Sequence, residues 1–206
     1  MSGTLTVADR VRRRNPKLLA ALPDGAIFVA SHQLAGRGRQ HNSWISSKGC
    51  LQFSFVVRAP ESLASKLVFV QYLVGLAIVE AVRSLPGYSE VGLQLKWPND
   101  IYANVGSPRT PRLVKVGGIL VNSSFHGGHF SIVVGCGVNV SNPKPTTSIN
   151  EAISIHNIEH AAELGLVQPE DVLAAFATQM DAMWPAFMSQ AFTPFYDRYI
   201  SRWIHS

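Results

Sequence analysis

Four short segments of this 206-residue chain bring together residue types that could do chemistry. The first runs from Gln33 through Gly36, Arg37, Gly38 and Arg39 and is followed by Trp44. Alternating glycines let a ligand approach the backbone closely, and guanidinium forks pair with carboxylate or phosphate oxygens. A solvated loop or a short RGG-like nucleic-acid segment explains the same residues at this point. The second segment is Lys96-Trp97-Pro98-Asn99-Asp100. It places a lysine where a strand ends, with Pro98 holding Trp97 extended and fixing a turn. Such a lysine can neutralise two anions that must meet, and a plain Asn-Asp turn is the alternative. The third, beginning at Lys115, carries the pair Gly117-Gly118 inside a strand, which marks a bulge or a close backbone approach. The fourth, Gly135 to Asn139, closes an apolar strand. Its spacing is not G-x-G-x-x-G and no helix signal follows, so a dinucleotide fingerprint is excluded. Asn139 can donate to and accept from a base edge, or cap a turn.

Other chemistries find little support. His126 and His129 share a hairpin without a carboxylate partner, so no metal site is expected. Cys50 and Cys136 form no C-x-x-C pair, which excludes a disulfide scaffold or structural zinc and points to a reducing compartment. Cys50 is expected as a small core residue at a strand start. No serine sits in a G-x-S-x-G elbow.

The elements that must position these residues follow from periodicity and punctuation. A short helix from Asn15 to Leu22 is stopped by Pro23-Asp24-Gly25, and a strand covers 26–30. A strand over 51–57 precedes a long helix over 65–85, with Ser62 or Ser65 as its cap and Pro86-Gly87 ending it. Strands follow at 91–97 and 115–122, then a hairpin turn at 125–128 and a strand at 129–134. Residues 141–150 are a polar loop and 151–164 are weakly helical. A second long helix starts at Pro169, well placed in a first turn, and Pro185 is expected to end or kink it. The order predicts one α+β domain, a mixed and largely antiparallel sheet with packed helices.

Composition agrees. Hydrophobic residues at 47% and charged residues at 15% allow a sizeable core and exclude global disorder. The net charge of +5 is local: residues 1–50 hold eight basic and two acidic side chains, the other 156 ten and eleven. A focused cluster suits a small anionic ligand, and a nucleic-acid binder would spread its cations over a face. The stretch Leu67 to Val82 is broken by Gln71, Gly75 and Glu80, and reads as a buried helix rather than a membrane span. The N-terminus lacks an apolar signal region; its arginines also permit a mitochondrial presequence, with the cytoplasm the expected compartment.

Taken together and in order, these motifs, with Ser47 to Leu51 and Lys96 to Tyr102, resemble the catalytic domain of biotin protein ligases, the holocarboxylase synthetases. Residues 15–19, 142–150 and 202–206 look most like the fungal branch. The resemblance covers residues 14–206, leaving 1–13 as an atypical segment, and implies a class II aminoacyl-tRNA synthetase-like fold. It implies that biotin attacks the α-phosphate of ATP, with Mg²⁺, to give biotinyl-5′-AMP, and that a lysine of a biotin carboxyl carrier domain then takes the biotinyl group. Neither nucleic acid nor membrane is expected as a partner. By the same resemblance Lys96 sits beside the biotin carboxylate and the α-phosphate, and Gln33 and Gly36 to Gly38 line the biotin pocket. Arg37 and Arg39 close over the adenylate, Lys115 and Gly118 lie near phosphates and biotin, and Asn139 faces adenine. Trp44 packs over the nucleotide or anchors its loop. The Ser-Thr-Asn segment of such enzymes is replaced by Val7-Ala8-Asp9, and the small β-barrel that follows their catalytic domain is not seen. The alternatives are a lipoate or octanoate ligase, which usually carries Gly-Gly-Gly and a histidine at the Gly-Arg loop, and a biotin binder without turnover.

Overall fold

A computed structural model of the chain describes residues 15–33, 36–38, 43–107 and 110–205. The expectations for residues 1–13, the Val7–Asp9 replacement among them, lie outside the described residues, as does Arg39.

Helix α1 (Pro16–Ala21) starts where Asn15 accepts a hydrogen bond from Leu18 N at 3.0 Å, with proline in its first turn. Strands β1 (Ala26–Val29), β4 (Cys50–Pro60), β5 (Leu93–Lys96), β6 (Asp100–Asn104), β7 (Leu113–His126) and β8 (His129–Asn139) form one sheet. The strand order is β1-β4-β8-β7-β6-β5, antiparallel at every pairing. A separate two-residue ladder joins β2 (Gly36–Arg37) to β3 (Ser43–Trp44). The β7–β8 hairpin turns on Gly127 and Gly128, both at positive φ, which side-chain-bearing residues rarely adopt.

The period of two along β4 separates two faces. Leu51, Phe53, Phe55, Val57 and Ala59 point to the main core, where Phe176 packs against Phe53 and Phe55 with ring centroids 4.9 and 5.5 Å away. Helices α2 (Val70–Arg83) and α4 (Pro169–Gln190) cover that face. Gly75 lets α2 come close: a Cβ there would lie 3.1 Å from Leu95 Cδ2. The other face of β4 carries Gln52, Ser54 and Val56, and Val56 joins Leu19 and Val133 under α1.

Several boundaries differ from expectation. Residues 61–69 form a 3₁₀ segment, and the α-helix begins at Val70 without a side-chain cap, so neither Ser62 nor Ser65 caps it. The apolar run continues the pattern across both, so periodicity alone does not mark the change of winding. Strand β6 was not anticipated, because Pro98-Asn99-Asp100 looks like the start of a loop and is instead a tight hairpin between β5 and β6. The Trp97–Pro98 peptide is cis. Helix α4 runs through Pro185 to Gln190; Met183 and Phe187, buried one turn apart, hold it on the core despite the missing N–H. Helix α3 (Ile149–His160) takes part of the expected loop. At the β5 edge, Leu95 N donates to Arg202 O and Ile204 N to Leu95 O, so residues 202–204 extend the sheet.

Candidate active site

The strand registers align five residues across the sheet on the face away from α2 and α4. Gln52 on β4 pairs with Gly137 on β8, Gly137 with Gly118 on β7, Gly118 with Asp100 on β6, and Asp100 with Lys96 on β5. Directly paired residues share a face, and neighbouring strands stand about 4.8 Å apart. The two glycines therefore leave a floor without side chains, with an uncharged amide at one end and charged groups at the other. The next row repeats the motif with Ser54, Gly135 and Leu120.

At the charged end Lys115 Nζ lies 2.7 Å from Asp100 Oδ1. A bulge between Ile101 and Tyr102 shifts the β6–β7 register and sets Lys115 beside Tyr102, one step from the glycine row. Lys96 makes no ion pair among the described residues; its Nζ stands over the Tyr102 ring, 5.1 Å from the centroid. Two lysines against one carboxylate leave this end net positive. A narrow cleft between α2 and the β5–β6 turn is lined by Lys96, Asp100, Tyr72 and Tyr199. Burial, with Tyr72 beside it, pushes the Tyr199 phenol up to about 12. Trp97 is 59% exposed, and its Nε1 donates to Tyr72 Oη at 2.8 Å.

At the other end the β2–β3 ladder brings Trp44 over the floor. A Cβ on Gly137 would meet Trp44 Cε2 and Nε1 at 2.8 Å, so the indole rests on that glycine. Gly36 is equally constrained, since a Cβ there would clash with Trp44 O and lie 2.9 Å from Gln33 Oε1. That contact places the Gln33 carboxamide beside the Gly-Arg loop, while Gln33 N donates to Ser46 Oγ. Gly38 is half-buried. The Arg37 backbone lies in β2, and its side chain and all of Arg39 fall outside what is described. Asn139 is buried, pairs with Cys50, and its Oδ1 has no hydrogen-bond partner among the described residues. Burial pushes the Cys50 and Cys136 thiols up, so neither is a thiolate nucleophile.

Lys96, Lys115, Gly118 and Trp44 thus share one face. Gln33 borders it, and Asn139 stands at its β8 end. Gln52, Ser54 and Asp100 were missed. Gln52 and Ser54 sit at alternate places in an apolar strand, and that spacing was the available signal. Among the described residues no group of three His, Cys, Asp or Glu side chains could hold a metal ion, and Asp100 is already paired with Lys115. The described residues therefore do not supply a carboxylate cage for Mg²⁺.

The sheet face thus pairs an amide end with a cationic end across two bare glycines. Residues 9–139 match the biotin/lipoate A/B protein ligase family, and the chain belongs to that family. It is 38% identical over 187 residues to a biotin–protein ligase of Homo sapiens, covering 88% of this chain and 24% of that one. A biotin–protein ligase of Schizosaccharomyces pombe is 32% identical, over 98% of this chain and 33% of its own. A biotin–[acetyl-CoA-carboxylase] ligase of Paracoccus denitrificans is 31% identical, over 96% and 79%. The chain thus spans a quarter to a third of the human and yeast relatives. A biotin protein ligase from Aquifex aeolicus, solved in complex with biotin and ATP, shares the class II synthetase-like fold. Its TM-score is 0.66 at 24% identity, over 97% of this chain and 75% of that one.

Proposed function

We propose that the chain activates biotin with ATP to biotinyl-5′-AMP and passes the biotinyl group to a lysine of a carboxylase carrier domain, with residues 14–206 as the catalytic domain. The observation that carries this reading is the Gln52–Gly137–Gly118–Asp100–Lys96 row. A fused ring lies on the glycine floor toward Gln52 and Gln33, and its acid tail reaches Lys96. The relatives' names support biotin as the acid.

In the first step a biotin carboxylate oxygen attacks the α-phosphorus, a new P–O bond forms, and the bond to pyrophosphate breaks. Lys96 stands between the two anions and offsets their repulsion as charge shifts to the leaving group. Lys115 is steered by Asp100 toward the phosphates, and Asn139 and Trp44 face the nucleotide. Arg37 and Arg39 are the guanidiniums that close over the adenylate. Mg²⁺ would be held by the nucleotide phosphates rather than by a carboxylate cage of the described residues, and would offset phosphate charge. In the second step the acceptor amine attacks the acyl carbon, an amide forms, AMP leaves, and the amine proton passes to solvent.

The test is to incubate the chain with ATP, Mg²⁺, an isolated carrier domain and biotin, lipoate or octanoate in turn, and weigh the product. Addition of one biotinyl mass to one lysine is expected. Lipoyl or octanoyl addition instead would reassign the substrate.

A further inference from the structure

Strand β4 carries a pair of buried polar side chains whose polar atoms are unpaired among the described residues. Gln52 and Ser54 are both 0% exposed, and neither Gln52 Nε2, Gln52 Oε1 nor Ser54 Oγ has a hydrogen-bond partner among the described residues. An unpaired buried amide carries its full desolvation penalty, which an apolar side chain of similar size avoids. Both lie on the site face, each beside a glycine of β8: Gln52 beside Gly137, Ser54 beside Gly135. The fused bicycle of Trp44 rests on Gly137, so a flat ring system fits that place.

We propose that Gln52, assisted by Ser54, selects the ring of the substrate by pairing with a cyclic urea. The inference rests on the biotin-ligase reading. A carboxamide and a urea are complementary: Nε2 donates to the urea carbonyl oxygen while Oε1 accepts from a urea N–H. The substrate ring takes the place of the Trp44 indole on Gly137. A dithiolane or an alkyl chain offers neither partner, and a site built to hydrogen-bond its substrate rejects analogues that lack the group.

Calorimetric titration of the full chain with biotin, 2-iminobiotin and lipoate tests this, using wild type, Gln52→Met and Gln52→Glu, each with a thermal melt. Gln52→Met is expected to weaken biotin by roughly 10- to 100-fold, to lower the biotin-to-lipoate preference, and to melt at or above wild type. Gln52→Glu is expected to move preference from biotin toward 2-iminobiotin, whose cationic guanidine pairs with a carboxylate. A Gln52→Met chain that binds biotin as tightly as wild type, or that loses biotin and lipoate in parallel, overturns the proposal. One that melts below wild type also overturns it, because the amide would then serve the fold. A wild-type chain that binds biotin while these outcomes appear leaves the ligase reading intact. A wild-type chain that binds none overturns both.

Discussion

Lys96 and Lys115 carry the same charge in different settings. Lys115 is held by Asp100 at 2.7 Å, whereas Lys96 rests over an aromatic face and keeps its charge available. Lys96→Ala is therefore expected to lower the adenylation rate by roughly 10²–10³-fold, the scale of losing one electrostatic contact in a transition state, with an unchanged circular dichroism spectrum. Gly118 offers a complementary probe. A Cβ there would lie at ordinary contact, 3.6 Å from Lys115 Nζ and 3.7 Å from Asp100 Oδ1, so the fold accepts alanine. Gly118→Ala should melt like wild type and raise the KM for biotin, because the methyl stands on the bare floor. Rates and melts on the same preparation check both. The glycines and lysines were legible in the sequence because their types are unusual within a strand. Gln52 was not: in the run Leu51-Gln52-Phe53-Ser54-Phe55 it looks like an ordinary alternating polar residue, and only the register shows that it sits beside Gly137.

At the scale of elements, Arg58 ties α1 to the sheet. It donates to the carbonyls of Leu19, Ala20 and Leu22 and pairs with Asp24 Oδ1 at 2.7 Å, satisfying the open end of the helix. Arg58→Met should cost about 1.5–3 kcal/mol, the range for hydrogen bonds from a charged group. Phe176 does the equivalent work for α4, filling the space between Phe53 and Phe55. Phe176→Ala should cost about 3–5 kcal/mol in chemical unfolding. Long elements with strong apolar patterns were legible, α4 and the β7–β8 hairpin above all. The rest depended on partners distant in sequence: β6 exists because β5 and β7 flank it, α4 survives Pro185 because Phe187 anchors its next turn, and Arg58 caps a helix nearly forty residues away.

For the whole molecule, stability should depend on pH through His156. Burial lowers its pKa from 6.5, with His160 and Arg83 acting the same way and Glu90 and Glu159 opposing. The His160 ring is stacked on it with centroids 4.3 Å apart. The unfolded chain binds the proton more readily, so stability is full above pH 6.5 and falls as pH drops below it toward the folded-state value. Melting temperatures between pH 7.5 and 5 should show that fall, and His156→Gln should flatten it.

On the proposed reading, one sheet face joins an acid to ATP at Lys96. ATP–pyrophosphate exchange measures that step without an acceptor. Exchange that depends on biotin, exceeds that with lipoate or octanoate, and collapses in a folded Lys96→Ala chain is the predicted result. No biotin-dependent exchange from a folded wild-type chain, or equal exchange from Lys96→Ala, would contradict it.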